Sequence, residues 1–457
     1  MSVYPKRRVD HRVQAVTPTL FDAAAGASRV IVSMGPLTLP TTPQLTAELV
    51  RLAGLSRGNR LGLRRVPRAR WRWDPDGLVD EVLEWSECFP GTENLDIAEK
   101  LTLLRRTTPT PQGLRVYVAG EHLITDVSHA VVGGVMVVRL WLYLSVCSSH
   151  PTPRWTSTTP QRPHLVWMLL RHLALRPQSV VMLAAAGRRR PVAAPCERPS
   201  RPSNSEPIAS ARPRVSEPTS VTNGPPQPMP TTLSAQIDAD RRAALQAWRD
   251  AHASSCSMAV VLITVLTRAF HTVGIPLAPC VHVVVDASRY DRRLSGYLGN
   301  MAVGLNLPFA PPHDPRALQH ELAGAMSSGR PLAAMLAISL GELMARRRQA
   351  DGADGVELQS TGLSTLSFSH LLGLDDMPDG HWIGGFDAHQ FTAVSDPVDE
   401  RGIALLTPKM RDRYDISASF DERFHDPETV RHALDLAASN PVALLTSSTA
   451  VDFGEPS

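Results

Sequence analysis

A proline-rich segment near the middle of the chain divides the sequence into two parts that can each form a core. Between Arg188 and Thr232, proline recurs every few residues and aromatic side chains are absent. Such a segment has too little apolar surface to offset the entropy lost when its backbone is ordered. We therefore predict an N-terminal subdomain at residues 1–187, a flexible Pro/Arg/Ser-rich linker at 188–232 and a C-terminal subdomain at 233–457. A Pro-rich ligand for a peptide-binding module is the alternative interpretation of the middle segment.

The charge and cysteine content of the 457-residue chain exclude several classes of protein. A formal net charge of +3, from 47 basic and 44 acidic residues, gives no overall field that would attract nucleic acid. Five cysteines are scattered without metal-site or disulfide spacing, which indicates a reducing compartment. No run of about 18 apolar residues predicts a transmembrane helix, and the N-terminus lacks the apolar core of a signal peptide. We expect a cytoplasmic protein with no metal site, no nucleic-acid partner and no transmembrane segment.

Strand and helix patterns alternate on both sides of the linker, which is typical of a mixed α/β fold. Segments rich in β-branched and aromatic residues predict strands at residues 28–34, 114–120, 280–288, 364–372 and 413–420. The segment at 280–288 is nearly all β-branched, which predicts a strand covered on both faces. Apolar residues at helical spacing predict helices at residues 41–54, 76–89 and 426–439.

The segment most informative about chemistry is LITDVSHAVVGGVMV, residues 123–137. The pattern predicts a strand that ends near Val127, a turn that contains His129, and an apolar helix that begins at Val135. Gly133 and Gly134 permit tight backbone geometry.

This segment resembles the HHxxxDG active-site motif of the condensation-domain and CoA-dependent acyltransferase superfamily, whose members include chloramphenicol acetyltransferase. Ser128 stands at the first His position, His129 at the second, and Gly134 at the final Gly, whereas Gly133 replaces the Asp. In the family the second His performs the chemistry and the Asp is mainly a structural partner of an arginine. The resemblance therefore implies that His129 is the catalytic base.

A second resemblance lies in the other half of the chain, at residues 281–309. This stretch looks like the superfamily's strand that carries an arginine and is followed by a Gly-Asn pair: here Asp286, Arg289, then Gly299 and Asn300. Residues 413–434 similarly resemble the closing strand and helix. Together the resemblances imply two chloramphenicol-acetyltransferase-like α/β subdomains that face each other across a substrate channel.

The resemblance also implies a structural role for Arg289, which needs an acceptor because the family's Asp is missing. Asp126, Asp286 or a main-chain carbonyl could be that acceptor. We hypothesise that Asp126 balances this charge. Asn300 and the glycine before it are interpreted either as a simple turn or as part of the channel wall.

The resemblance implies transfer of an acyl group from a thioester to a hydroxyl or amine. The attacking group must lose a proton, and an imidazole with a pKa near 6.5 can accept it at neutral pH. No bound cofactor is implied: acyl-CoA or an acyl group on phosphopantetheine would be the substrate, and an acyl or peptidyl carrier protein a possible partner. Candidate donors to the oxyanion are Ser364, Ser367, Ser369 and the backbone N–H groups around Gly133.

Three other interpretations remain open. His129 could be an ordinary core histidine bonded to a carbonyl group. The chain could also be a non-catalytic relative that binds or docks a carrier protein, which Ser128 and Gly133 favour because they depart from the motif. Finally, it could resemble wax-ester or diacylglycerol synthases that work at a lipid surface, although the sequence offers no clear amphipathic basic helix for that.

Overall fold

The protein is described by a computed structural model that covers residues 14–16, 18–19, 21–22, 28–66, 70–131, 133–144, 152–157, 163–188, 228–294, 297–350, 362–371, 382–385 and 388–446. Most of the proposed linker, residues 189–227, lies outside the described residues. Strand β8 begins at Pro230, so the last three residues assigned to the linker belong to a strand.

The described elements alternate between helices and strands in both halves of the chain. The helices are α1 (Thr42–Leu55), α2 (Trp85–Cys88), α3 (Ile97–Thr107), α4 (Gly134–Leu144), α5 (Leu165–Leu175), α6 (Gln178–Arg188), α7 (Ala239–His252), α8 (Met258–Thr272), α9 (Pro315–Ser327), α10 (Arg330–Ala350), α11 (Pro427–Ser439) and α12 (Pro441–Thr446). The strands are β1 (Gln14–Val16), β2 (Arg29–Gly35), β3 (Leu63–Val66), β4 (Arg70–Trp73), β5 (Val82–Glu84), β6 (Leu114–Ala119), β7 (His122–Ser128), β8 (Pro230–Ile237), β9 (Leu277–Asp286), β10 (Ala302–Pro308), β11 (Ser364–Ser369), β12 (Gln390–Ser395), β13 (Ile403–Leu406), β14 (Lys409–Met410) and β15 (Arg413–Asp421).

The first lobe is built on a five-stranded sheet in the order β12-β2-β7-β6-β5. The strands β2 and β7 are antiparallel, with Arg29 opposite Ser128 and Ile31 opposite Asp126. Their β-branched residues bury one face against helices α1 and α4, in a core that includes Leu49 and Leu140. This sheet carries the strand that ends beside His129. A smaller sheet, β1-β4-β3, lies in the same half of the chain.

The second lobe is built on a sheet in the order β10-β9-β11-β13-β15-β14, with β8 paired to β15. Helix α8 is the main apolar cover, and its core includes Val261, Phe270 and Ile416. Asp426 caps α11 by accepting from the backbone N–H of Thr429 at 2.9 Å.

The two sheets meet along strands β12 and β15. Although β12 comes from the C-terminal part of the sequence, it pairs with β2 in the first sheet. Its outer N–H groups are bound by side chains of β15: Phe391 N donates to Asp415 Oδ2 at 2.9 Å, and Ala393 N donates to Ser417 Oγ at 3.0 Å. The strand exchange and these hydrogen bonds fix the two lobes beside each other.

Two local predictions are wrong. Residues 76–89 form a 3-10 helix, the short strand β5 and the four-residue helix α2, because Val82 and Leu83 pair with β6. Strand β9 is not covered on both faces: its burial alternates, and His282 and Val284 line a cavity. Among the described helices, none has both the length and the apolar character needed to cross a membrane.

Candidate active site

A cavity of about 530 Å³ separates the inner faces of the two sheets, and His129 is part of its wall. The first lobe contributes residues of β2, β7 and α4, whereas the second contributes residues of β9, β10, β11 and β13. Most of the wall is apolar, so the cavity suits an apolar acyl group better than a charged ligand. Its polar side chains are Ser28, His129, His282, Asn300, Ser367, Ser369, Ser395 and Asp396.

The strand β7 positions His129 at the rim between the sheets. The backbone N–H of His129 donates to the carbonyl oxygen of Ser28 at 2.9 Å, which extends the β2–β7 pairing by one residue beyond Arg29 and Ser128. His129 is half-buried and lines the cavity. Ser128, at the position of the first motif His, is buried instead, and its Oγ has no hydrogen-bond partner in the described part of the chain.

Arg60 holds the turn that follows His129. Its Nε donates to the carbonyl oxygen of Val131 at 2.6 Å, and its Nη2 donates to that of Ala130 at 3.2 Å. The same guanidinium donates to Asp22 Oδ1 at 3.1 Å and to Tyr297 Oη at 2.9 Å. Arg60 is buried, with its guanidinium 4.9 Å from the ring centre of Trp71. This arginine therefore links the histidine turn to the second lobe.

Gly133 lies where the backbones of the two lobes touch. Its N–H donates to the carbonyl oxygen of Leu298 at 3.1 Å. A Cβ atom at Gly133 would lie 2.5 Å from the carbonyl oxygen of Gly299, a distance that real Cβ atoms do not show. The contact explains the glycine in physical terms: an aspartate would not fit while this contact is kept.

Two further residues singled out in the sequence, Gly134 and Asn300, lie at the cavity. Gly134 begins α4 and lines the cavity, and a Cβ atom there would meet only Leu371, at 3.9 Å. Asn300 is buried, and its Oδ1 accepts from the backbone N–H of Ala302 at 2.9 Å. Asn300 thus both forms a turn and contributes to the wall, so the two interpretations of this residue are compatible.

Asp126 pairs with Arg29, not with Arg289, so the hypothesis of an Asp126–Arg289 charge balance is wrong. Arg29 Nε donates to Asp126 Oδ1 at 2.8 Å and Nη2 to Oδ2 at 2.6 Å, and both side chains are buried. The β2–β7 register makes these residues diagonal neighbours on one face of the sheet. Burial raises the pKa of the Asp126 carboxyl above its usual value, while Arg29 acts in the opposite direction.

Arg289 and Asp286 lie outside the cavity wall. Arg289 is exposed, so it is not the buried arginine that the resemblance implies. Asp286 caps the short 3-10 helix that begins at Ala287, where its carboxylate accepts from the N–H and the hydroxyl of Ser288 at 2.8 and 2.7 Å. Among the residues that the structure describes, the buried arginines near the histidine are Arg29 and Arg60, both from the first lobe.

The candidate oxyanion donors divide into two groups. Ser367 and Ser369 line the cavity with His129, whereas Ser364 is buried outside it. The N–H of Gly133 is used in the contact with Leu298.

Trp141 also lines the cavity, and its indole N–H has no hydrogen-bond partner in the described part of the chain.

Sequence reasoning missed a second imidazole in the same cavity. His282 extends from β9, where Gly304 of the neighbouring strand leaves room for its ring. Its Nδ1 lies 2.7 Å from Asn306 Oδ1, and burial lowers its pKa below the usual value. The lowered pKa favours the neutral imidazole. Because Asn306 Oδ1 can only accept, Nδ1 is the donor in this contact, and Nε2 of the neutral ring is an acceptor. The sequence signal for such a residue is an alternation of polar and apolar residues along the strand. That alternation is weak in residues 281–286, VHVVVD.

Comparison of the sequence with protein-family models and with curated proteins gives no match. Comparison of the fold with solved structures does. The trichothecene 15-O-acetyltransferase TRI3 of Fusarium sporotrichioides matches with a TM-score of 0.53 and 11% identity, over 93% of this chain and 95% of that chain. The first condensation domain of the calcium-dependent antibiotic synthetase, in complex with a substrate analogue, matches with a TM-score of 0.54 and 14% identity, over 94% and 97%. SgcC5 of Streptomyces globisporus matches with a TM-score of 0.52 and 15% identity, over 91% and 92%.

These identities are low, so the likeness concerns the fold. It extends over nearly the whole length of each chain, which agrees with the two lobes and the cavity described above. The sequence resemblance is confirmed at the level of the fold: the chain has the two-lobed α/β fold of the condensation domain and the acetyltransferase named above.

Proposed function

We propose that this chain is an acyltransferase that moves an acyl group from a CoA or carrier-protein thioester to a hydroxyl or amine, with His129 as the general base. The observation that carries the proposal is the position of His129 at a strand end, in the wall of a cavity of about 530 Å³ between the lobes. A relative of the same fold, TRI3, is by name a 15-O-acetyltransferase.

The proposed reaction needs one proton carrier and donors to an oxyanion. The acceptor oxygen or nitrogen attacks the thioester carbonyl while His129 takes its proton, and the carbonyl oxygen becomes an oxyanion. The carbon–sulfur bond then breaks, and the imidazolium returns the proton to the leaving thiolate, so that an ester or amide and a free thiol result. General-base assistance is worth about 10²–10⁴-fold in rate, and the remainder comes from positioning and charge stabilisation.

Ser367 and Ser369 are the side chains that we propose as donors to the oxyanion, because both line the cavity from the second lobe. His282 would contact the acceptor or the acyl group from the same lobe as a neutral hydrogen-bonding group. We also propose that the chain is located in the cytoplasm.

A wax-ester or diacylglycerol synthase-like activity is the second candidate. Two observations favour it: the wall around His129 is mostly apolar, and a second apolar cavity of about 620 Å³ adjoins it at Phe21 and Asn300. Both features suit long hydrocarbon chains. The reaction at His129 would be the same, with a long-chain alcohol or diacylglycerol as the acceptor.

The experiment that tests the proposal incubates the full chain with a panel of acyl-CoAs of different lengths and a mixture of alcohols and amines, and follows release of the free thiol. We expect release above the uncatalysed rate, together with an ester or amide detected by mass spectrometry. If the protein binds acyl-CoA without releasing thiol from any donor, including an acylated carrier protein, the chain is the non-catalytic binding module.

A further inference from the structure

The helices α5 and α6 form a hairpin whose outer side is apolar and exposed. Val166, Trp167 and Leu170 are more than half exposed on α5, and Leu175 at its end is 71% exposed. On α6, Val181 is 72% exposed and Val180 is 51% exposed. An apolar patch of this kind on a protein surface usually marks an interaction site.

The apolar outer side is not needed to hold the hairpin in place. The inner side of α5 packs through Met168 against Tyr297 and Met335 of the second lobe. In addition, His172 Nε2 and Ser179 Oγ each lie 2.9 Å from the carbonyl oxygen of Ser327. Since every residue of α5 except Arg171 and His172 is apolar, both sides of the helix are apolar, which is typical of a helix covered on both sides.

The charge of the hairpin indicates what covers it. Residues 163–188 contain three arginines, at 171, 176 and 188, and no aspartate or glutamate. The side chain of Arg171 is nearly half exposed. Its Nη1 lies 3.9 Å from Oδ1 of Asp291, which also pairs with Arg293. An exposed apolar surface that includes a tryptophan and carries arginines but no acids is complementary in polarity and charge to an anionic lipid interface.

A cavity of about 620 Å³ lies beneath this hairpin. Its wall includes the exposed residues Val166, Trp167 and Leu170 on one side and Met335 on the other, so it opens at the apolar patch. Phe21 and Asn300 line both this cavity and the one that contains His129. An apolar chain that enters beside Trp167 would therefore be directed towards His129.

We propose that the α5–α6 hairpin docks on an anionic lipid bilayer, and that the cavity beneath it admits the hydrocarbon chain of a membrane-borne substrate to the site at His129. Each helix has 11 residues, about 16 Å of length, and would lie along the surface. A second copy of the chain bound to the same patch would close the mouth of the cavity. A lipid bilayer would instead supply a hydrocarbon chain to fill the cavity. The second part of this proposal rests on the proposed acyltransferase function; the docking does not.

The test is flotation of the full chain with lipid vesicles. Vesicles of phosphatidylcholine with about 30 mol% phosphatidylglycerol are compared with phosphatidylcholine alone. The variant is Leu175→Asp/Val181→Asp, since both side chains are exposed and neither lines a cavity described above. The matched control is Val79→Asp, which changes an equally apolar, 55% exposed residue in the first lobe.

We expect the parent and the control to float with the anionic vesicles, more weakly as salt is raised, and the double variant to bind at least about tenfold more weakly. Equal flotation of parent and double variant would overturn the proposal, as would no flotation of the parent. A parent that is dimeric in solution, and becomes monomeric in the double variant, would assign the patch to a second copy instead.

The same variant separates docking from catalysis. The double variant is expected to retain the parent's rate of thiol release from a short, soluble acyl-CoA and to lose at least about tenfold of the rate when the acceptor is presented in anionic vesicles. His129→Ala is expected to float like the parent. If the parent floats but has no activity on any donor, the acyltransferase proposal fails and the docking proposal is retained. If the parent is active but does not float, the docking proposal fails and the acyltransferase proposal is retained.

Discussion

Arg60 Nε donates to the carbonyl oxygen of Val131 at 2.6 Å, two residues beyond the histidine that we propose as the base. The HHxxxDG motif that this segment resembles has an aspartate at the position of Gly133, with an arginine as its partner. Here Gly133 replaces the aspartate, and a buried guanidinium from a distant loop binds the turn through its backbone carbonyls. We therefore expect Arg60 to act as a positioning residue for His129, the base that we propose.

Removal of the Arg60 guanidinium is predicted to affect both stability and rate. Arg60→Met leaves Asp22 buried without its cation, so the free energy of unfolding should fall by about 3–5 kcal/mol. Arg60→Met/Asp22→Asn removes the uncompensated charge and should recover part of that loss. Because the turn still lacks two hydrogen bonds, kcat of the double variant should be lower while KM changes little. A folded double variant with the parent's kcat would contradict the positioning role.

The two adjacent glycines of the motif are predicted to respond differently to the same change. Gly133→Ala puts a Cβ atom 2.5 Å from the Gly299 carbonyl oxygen and should cost about 1–3 kcal/mol of unfolding free energy. Gly134→Ala meets only Leu371 at 3.9 Å and should change stability by less than about 0.5 kcal/mol. Denaturant titration measures both. Equal effects of the two substitutions would mean that the Gly133–Gly299 contact is absent.

Asp126 and Arg29 are predicted to be strongly coupled. Asp126→Ala leaves the buried Arg29 guanidinium without its carboxylate, and we expect a loss of about 3–5 kcal/mol. The Asp126→Ala/Arg29→Met variant should lose much less than the sum of the two single changes. Additive losses in this double-mutant cycle, measured by denaturant unfolding, would show that the two side chains do not form the pair.

Two histidines whose pKa is lowered by burial, the half-buried His122 and the buried His313, predict how stability depends on pH. Burial lowers the pKa of His122 and of His313 to about 4, and nearby cations act in the same direction: Lys100 for His122, and His271 and Arg268 for His313. Because the unfolded state binds these protons more tightly, their contribution is complete above about pH 6.5 and is lost as the pH falls towards 4.

The measurement is the Tm of the parent and of His122→Gln/His313→Asn between pH 7.5 and 4.5. Asparagine is chosen at 313 because the backbone there has φ +54°. The Tm of the parent should fall more steeply than that of the double variant below pH 6.5. Parallel curves would contradict the assignment of acid sensitivity to these two groups.

The sequence predicts the fold and the histidine because both depend on local patterns. The β-branched residues of β2 and β7, the turn at His129 and the glycine at the start of α4 lie within short segments. Arg60 is not predictable in this way, since its partners are 38 to 237 residues away and no spacing rule links them. His282 was missed because a β-branched run hides which residues face a cavity.

The exposed apolar side of the α5–α6 hairpin could not be predicted from the sequence either. Its helices carry few charges, so they do not display the amphipathic pattern that predicts a surface helix. The packing of Met168 against the second lobe and the contacts of His172 and Ser179 with Ser327 identify the inner side. The side chains of Leu175 and Val181 lie on the other side and are exposed. The pairing of β12 with the first sheet could not be predicted either, because the sequence of β12 does not indicate which strand it pairs with.

The most direct test of the acyltransferase account compares two histidines at opposite ends of β7. Thiol release from the best acyl-CoA donor is measured at pH 7.5 for the parent, His129→Gln and His122→Gln, the last of which lies outside the cavity wall. We predict a loss of about 10²–10⁴-fold in kcat for His129→Gln and parental activity for His122→Gln. Parental activity of His129→Gln would contradict the central claim.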